Sequence, residues 1–353
     1  MPERRPLRSG AVRREGATIS AAPVPAERIP LNTWAIAFGL AGLAEAWTAA
    51  TPLLGLPDAV RWVLWVVAAV GWIWLLVAHV ARGLRTRLPL GDQLRHPAQG
   101  PIAALVPVVA LLLGIQLDEV APLAGAIVTG IALVAATGFA AWILGLWMRG
   151  GRPAEAVHGG YFLPTVAAGL VGATAAEVAG WHGIALGSFA VGILFWIVIQ
   201  TVLVIRLAVQ PPLPGPLTPT LAIMVAPPAV AGLAWFEING GRVDDVQFAL
   251  AGVLVLMLLI QLAFVARYRR LAFSLGFWSF TFPVAGAGAY GIHWAEIEGG
   301  AVGVIATIAI LAGVTVLIGA IAVRSLVGRL RDRARHEDLE EETLEAADLD
   351  AAR

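Results

Sequence analysis

The sequence predicts an all-α polytopic membrane protein: ten transmembrane helices arranged as five hairpins, with the odd-numbered, kinked helices lining a central pore. Three observations point there. The 353 residues are 59% hydrophobic and only 14% charged, with a mean hydropathy of +0.80, a balance that belongs in a bilayer rather than in water. Ten apolar runs are long enough to cross it. The arginines are distributed between the connections as a membrane topology requires.

The runs cover residues 31–50, 59–81, 101–117, 121–147, 160–180, 184–207, 218–237, 245–266, 272–293 and 300–323. About 17 to 25 apolar residues span the roughly 30 Å of hydrocarbon as a helix. An open strand of that length would leave backbone donors and acceptors unpaired in lipid, so helices are required.

All 24 basic residues are arginine. With the N-terminus inside, 22 of them fall on the inner side and only Arg61 and Arg242 on the outer side. Asp58, Asp118, Glu119, Glu237, Asp244, Asp245, Glu296 and Glu298 fall on the outer connections, and Trp47, Trp181, Trp235 and Trp294 close the outer ends of spans one, five, seven and nine. This predicts a multi-pass protein of the inner (plasma) membrane with both termini cytoplasmic.

The tails differ from the spans. Residues 1–28, rich in Arg, Pro and Ala without apolar periodicity, read as a disordered N-terminal tail, and residues 29–324 as the membrane domain. Residues 325–353 turn from basic to acidic around Glu337 to Glu342 and read as a solvated, charged tail.

The prolines alternate between spans. Pro107, Pro164, Pro227, Pro228 and Pro283 lie inside spans three, five, seven and nine, while the even spans have none beyond Pro122 in a first turn. An interior proline removes a helical hydrogen bond and kinks the helix, so the freed backbone has to be satisfied by protein or water. Spans three, five, seven and nine start near residues 101, 160, 218 and 272, a weak repeat of one kinked and one straight helix. This places bent helices in an inner ring and straight ones against lipid. The inner helices also carry close-approach glycines such as Gly39, Gly42, Gly169 and Gly286.

Three stretches carry a family likeness: Gly276-Phe277-Trp278-Ser279-Phe280-Thr281-Phe282-Pro283, Tyr161-Phe162-Leu163-Pro164, and the first span from Ile29-Pro30 through Gly39-Leu40-Ala41-Gly42 to Ala46-Trp47. In their order and spacing the chain resembles the tellurite-resistance and C4-dicarboxylate transporter family, which includes bacterial tellurite-resistance permeases, fungal malate and sulfite permeases and plant slow anion channels. The resemblance implies five hairpins around a pore, commonly assembled as a homotrimer, with an aromatic plug on the ninth helix. Phe282 occupies that position. From its own sequence context Phe282 reads as a core phenylalanine, and the gating role comes from the resemblance.

Glu45 and Glu177, near the outer ends of spans one and five, are candidate proton or ion sites because a carboxylate is costly within a bilayer; the bland alternative is an interfacial group facing outer water. Thr165, Ser279 and Thr281 are candidate pore-lining hydroxyls, which would hold an ion weakly enough to release it. The six histidines lack paired ligand spacing, so no metal is expected. Gly286 to Gly291 matches a dinucleotide-binding pattern only formally, because no strand precedes it, and it reads as helix packing. No cysteine is present and no catalytic constellation emerges, so the expectation is a non-enzyme without cofactor or nucleic-acid partner. The expected function is a gated pathway for small inorganic or carboxylate anions, either a channel or a facilitative exporter. The alternative is a proton-coupled dicarboxylate, sulfite or tellurite-related carrier.

Overall fold

Among the described residues, 28–351 of the computed structural model, the chain is helical and no strand occurs. The expected tail of residues 1–28 lies outside them but for Arg28. In order the α-helices are α1 (Trp34–Leu54), α2 (Asp58–Arg85), the short α3 (Leu90–Arg95), α4 (Leu105–Asp118), α5 (Pro122–Met148), α6 (Ala168–Val178), α7 (His182–Val209), α8 (Ala226–Ile238), α9 (Asp245–Tyr268), α10 (Thr281–Glu298) and α11 (Gly300–Ala351). The last of these continues from the tenth apolar run into the charged tail.

Eight helical segments are long and apolar enough to cross a membrane. The two expected runs outside this set are α1 and the segment built on α10. Glu45 with its neighbouring tryptophans and threonines dilutes the first, and His293, Glu296 and Glu298 dilute the second.

The prolines of the odd runs mark a change of winding. Gly100–Ala104 is a 3-10 helix that passes into α4, with Pro107 in the first α-turn. Gly159–Phe162 is 3-10 and is followed by the π-helical stretch Leu163–Ala167 that contains Pro164. Gly215–Val225 is 3-10 and leads into Pro227 and Pro228 of α8, and Leu275–Phe280 leads into Pro283 of α10. Even α1 is preceded by a 3-10 turn, Leu31–Thr33. Within each continuous helical segment the proline thus falls where the winding changes. These prolines stand at the start of the α-ladder or in the π-turn beside it, and the first N–H groups of an α-helix have no intrahelical partner to lose.

Burial separates the two classes of helix. The segments Gly100–Asp118, Gly159–Val178 and Gly215–Ile238 are 72–78% buried, whereas α2, α5, α7, α9 and the apolar part of α11 are 17–28% buried. The exposed faces of the latter are Val, Ile and Leu, as lipid contact demands. The buried helices touch in a closed cycle: α1 packs on α4, α4 on α6, α6 on α8, α8 on α10 and α10 back on α1. Each also packs against the lipid-facing helix that follows it in the chain.

The turns between these partners are tight. Gly55 caps α1 in the left-handed region at φ 59°, and Gly299 stands between α10 and α11 at φ 67°, conformations only glycine adopts freely. At this end of the molecule Arg61 donates to both Asp58 and Glu119, and the Arg242 side chain donates to the Asn239 carbonyl. The only two arginines expected there are thus both engaged.

Candidate functional site

A cavity of about 260 Å³ lies among the buried helices, toward the ends at which they begin and hence toward the arginine-rich connections. All five odd segments contribute to its wall. In the first segment the wall runs from Asn32 of the 3-10 turn through Ala35 to Phe38 of α1 and no further, and along α10 it ends at Phe282 and Pro283.

Phe38 and Phe282 stand together at this inner end. Their rings stack with centroids 3.6 Å apart and planes at 15°, and both are buried. The close approach of α1 and α10 allows it. A Cβ on Gly42 would stand 2.9 Å from the Ala285 Cβ and 3.0 Å from Phe282 Cδ2, and one on Gly39 would run into the Thr281 hydroxyl. Small residues at a crossing let backbones approach in this way. Phe38 escaped the sequence reading because a phenylalanine in an apolar run carries no distinguishing signal. Its one mark is a position just before Gly39.

The wall toward the mouth is more polar. His96 Nδ1 accepts from the amides of Ala98 and Gln99 at 3.2 and 3.3 Å, which fixes the neutral ring as the Nε2–H tautomer. Gln99 accepts from the Leu31 amide through Oε1, which leaves its N–H groups as donors. Asn32 lines the same region with a buried Oδ1 that has no partner. Ser274 accepts from the Gly276 amide and keeps its O–H, whereas Thr220 is occupied on both counts, donating to Leu217 O and accepting from the Gly159 amide. Among the described residues, no Asp or Glu lines the cavity.

The candidates from the sequence divide. Ser279, Pro227, Phe282 and Pro283 line the cavity; Pro107 is not part of its wall. Pro164 and Thr165 line a separate crevice between α5, α7 and the π-turn, and Thr165 Oγ1 is buried there without a partner. Thr281 donates to the Trp278 carbonyl at 2.7 Å against Gly39, also away from the cavity. Thr165 and Thr281 are thus not in the wall of this cavity, because a hydroxyl's helical azimuth, rather than its presence in an inner run, decides what it faces.

The two glutamates also differ. Glu177 is the penultimate residue of α6 and accepts from His182 Nδ1 at 2.9 Å, as a group at a helix end does. Glu45 lies nine residues before the end of α1, a depth of about 14 Å, and its Oε2 is buried without a partner.

The family model for the voltage-dependent anion channel (SLAC1) matches residues 28–326. The chain belongs to this family. It is similar to the tellurite resistance protein TehA homolog of Haemophilus influenzae, with 26% identity over 73% of this chain and 78% of that protein. It is also similar to two channels of Arabidopsis thaliana. The S-type anion channel SLAH3 is 29% identical over 52% of this chain and 29% of its own length. The guard cell S-type anion channel SLAC1 is 31% identical over 44% of this chain and 28% of its own length. The matched segment is thus under a third of each of these plant channels. The family is one of anion channels and transporters rather than of enzymes, and this member is a polytopic membrane protein.

Proposed function

We propose that the cavity is one half of a gated pathway for small anions, stoppered by the stacked rings of Phe38 and Phe282. In this reading the chain crosses the membrane ten times as five hairpins, and the odd segments surround the pathway. The observation that carries it is the ring pair itself, set at the inner end of a cavity walled by all five odd segments.

The choice of anions rests on the wall chemistry as well as on the relatives. The mouth offers N–H and O–H donors from Asn32, Gln99, His96 and Ser274 with no carboxylate among them, beside connections rich in arginine. Neutral donors hold an anion weakly enough for it to leave again, and the basic surface raises its local concentration. The arginine bias supports a cytoplasmic position for this face and both termini, in a protein of the inner membrane. The family likeness supports a homotrimer with one pathway per subunit.

The test is anion flux from proteoliposomes. Phe282→Ala is expected to speed chloride or nitrate efflux at least about tenfold, as lowering a barrier by ~1.4 kcal/mol does. Flux equal to that of the unsubstituted protein would remove the gate. A coupled dicarboxylate or sulfite carrier is the second reading, favoured by Glu45, whose Oε2 is buried without a partner. It requires that efflux stall without a proton gradient.

A further inference from the structure

Glu45 follows Phe38 by seven residues and Gly42 by three, so the three project from one side of α1. Phe38 and Gly42 give that side its direction, since both meet Phe282. Glu45 therefore stands on the azimuth of the cavity, about 10 Å further along the helix than Phe38, on the route from the rings to the opposite face. Its Oε2 is sealed within the protein and has no hydrogen-bond or ion-pair partner.

Among the described residues, the elements packed on α1 supply no counter-charge at this level. Trp65 Nε1 donates to Thr48 Oγ1 and sets the register of α2, so Arg61 lies about two turns outward of the level of Glu45, held by Asp58 and Glu119. His79 lies about three turns the other way and bonds the Leu75 carbonyl. On α10, Tyr290 donates to Gln247, and His293 faces Glu296 a turn further out. The part of α4 before Asp118, the 3-10 stretches that touch α1, and α11 from residue 300 to 323 contain no ionisable residue.

Resting on the pathway reading above, we propose that Glu45 is a proton-operated barrier on the route of the anion. Ionised, its carboxylate repels an anion that has passed the rings, and nothing nearby offsets the repulsion. Protonated, it is a neutral dipole with an O–H to donate. The proton comes from water at the face where α1 ends, adds to a carboxylate oxygen, and returns there when the group ionises again. The pathway thus has two stoppers in series: an aromatic one that moves by rotation and an electrostatic one that is set by pH.

The experiment compares Phe282→Ala, Phe282→Ala/Glu45→Gln and Phe282→Ala/Glu45→Asp in proteoliposomes loaded with chloride, with the same buffer on both sides at about pH 5 or about pH 8. Efflux through Phe282→Ala is expected to be at least about tenfold faster at the lower pH, the scale of one unit charge acting across a few ångströms of protein. Glu45→Gln should hold the fast rate at both pH values, and Glu45→Asp should restore the difference. A pH difference that persists in Glu45→Gln, or one absent from Phe282→Ala, overturns the barrier while leaving the pathway intact. No chloride efflux from Phe282→Ala at either pH overturns the pathway, and the barrier with it.

Discussion

Phe38 of α1 lies flat against Phe282 of α10, so the aromatic contact at the inner end of the cavity, the proposed stopper, is made of two rings from two helices. Each ring supports the other's rotamer, and removing either frees the one that remains to rotate. Phe38→Ala is therefore expected to raise anion flux as Phe282→Ala does, by about tenfold or more. The double variant should fall well short of the product of the two increases, because the residues act as one unit. Independent, multiplicative effects would show that Phe38 has no part in the stopper.

Gly42 fits against Ala285 and Phe282 with no room for a side chain. Gly42→Val should push α1 and α10 apart, destabilising the fold by about 1–3 kcal/mol as overpacking does and lowering the thermal unfolding midpoint. The same displacement should leak anions. A tight, fully stable Gly42→Val protein would contradict the crossing.

At the mouth, Asn32 and Gln99 present amide groups to the cavity. In the Phe282→Ala background, replacing both by leucine removes donors that offset the cost of partial dehydration. Chloride efflux should slow about fivefold, the effect of losing roughly 1 kcal/mol of net hydrogen bonding. Unchanged efflux would place the recognition of the ion elsewhere.

Glu119, after the end of α4, accepts from Arg61 at 2.7 Å, and this bond holds its carboxyl below the usual glutamate range. A carboxyl with a lower value folded than unfolded contributes stability above about pH 4.3, and that stability is lost as pH falls through the folded value. Glu119→Gln should lower the unfolding free energy near neutral pH by the ~0–1 kcal/mol expected of a solvent-accessible pair, and with it the unfolding midpoint. The gap to the unsubstituted protein should close on acidification. A gap that widens in acid would reverse this assignment.

Tyr290 donates to Gln247 Oε1 at 2.7 Å, and Gln247 donates to the Gly232 carbonyl at 2.9 Å, all of it buried between α8, α9 and α10. Tyr290→Phe leaves the glutamine oxygen without its shortest donor, an expected loss of about 1–3 kcal/mol. Thermal unfolding of the purified variant in detergent measures it.

The helical class and the run boundaries were legible because lipid imposes one backbone solution on long apolar stretches, and the prolines separated buried from exposed helices correctly. Their local meaning was not legible. Pro107 and Pro283 look like interior breaks in a string of letters, and only the 3-10 stretches ahead of them turn those positions into helix starts. The sequence assigned Thr165 and Thr281 to the same face as Ser279, since a hydroxyl has no direction until the winding that carries it is known. Glu45 reads from the sequence as near the outer end of its span, yet α1 continues to Leu54, nine residues beyond it, and its Oε2 is buried.

The tighter winding at the start of each buried segment also settles a matter of length. A 3-10 helix climbs about 2.0 Å per residue against 1.5 Å for an α-helix, so Gly215–Val225 rises about 22 Å and α8 about 20 Å more. The whole reaches as far as the ~42 Å of α7 while using 24 residues instead of 28. With only three residues per turn, that part of the rod is also more slender. A bundle whose staves taper toward one end keeps a lumen there and closes where they thicken, and the winding changes within a turn or so of Phe282.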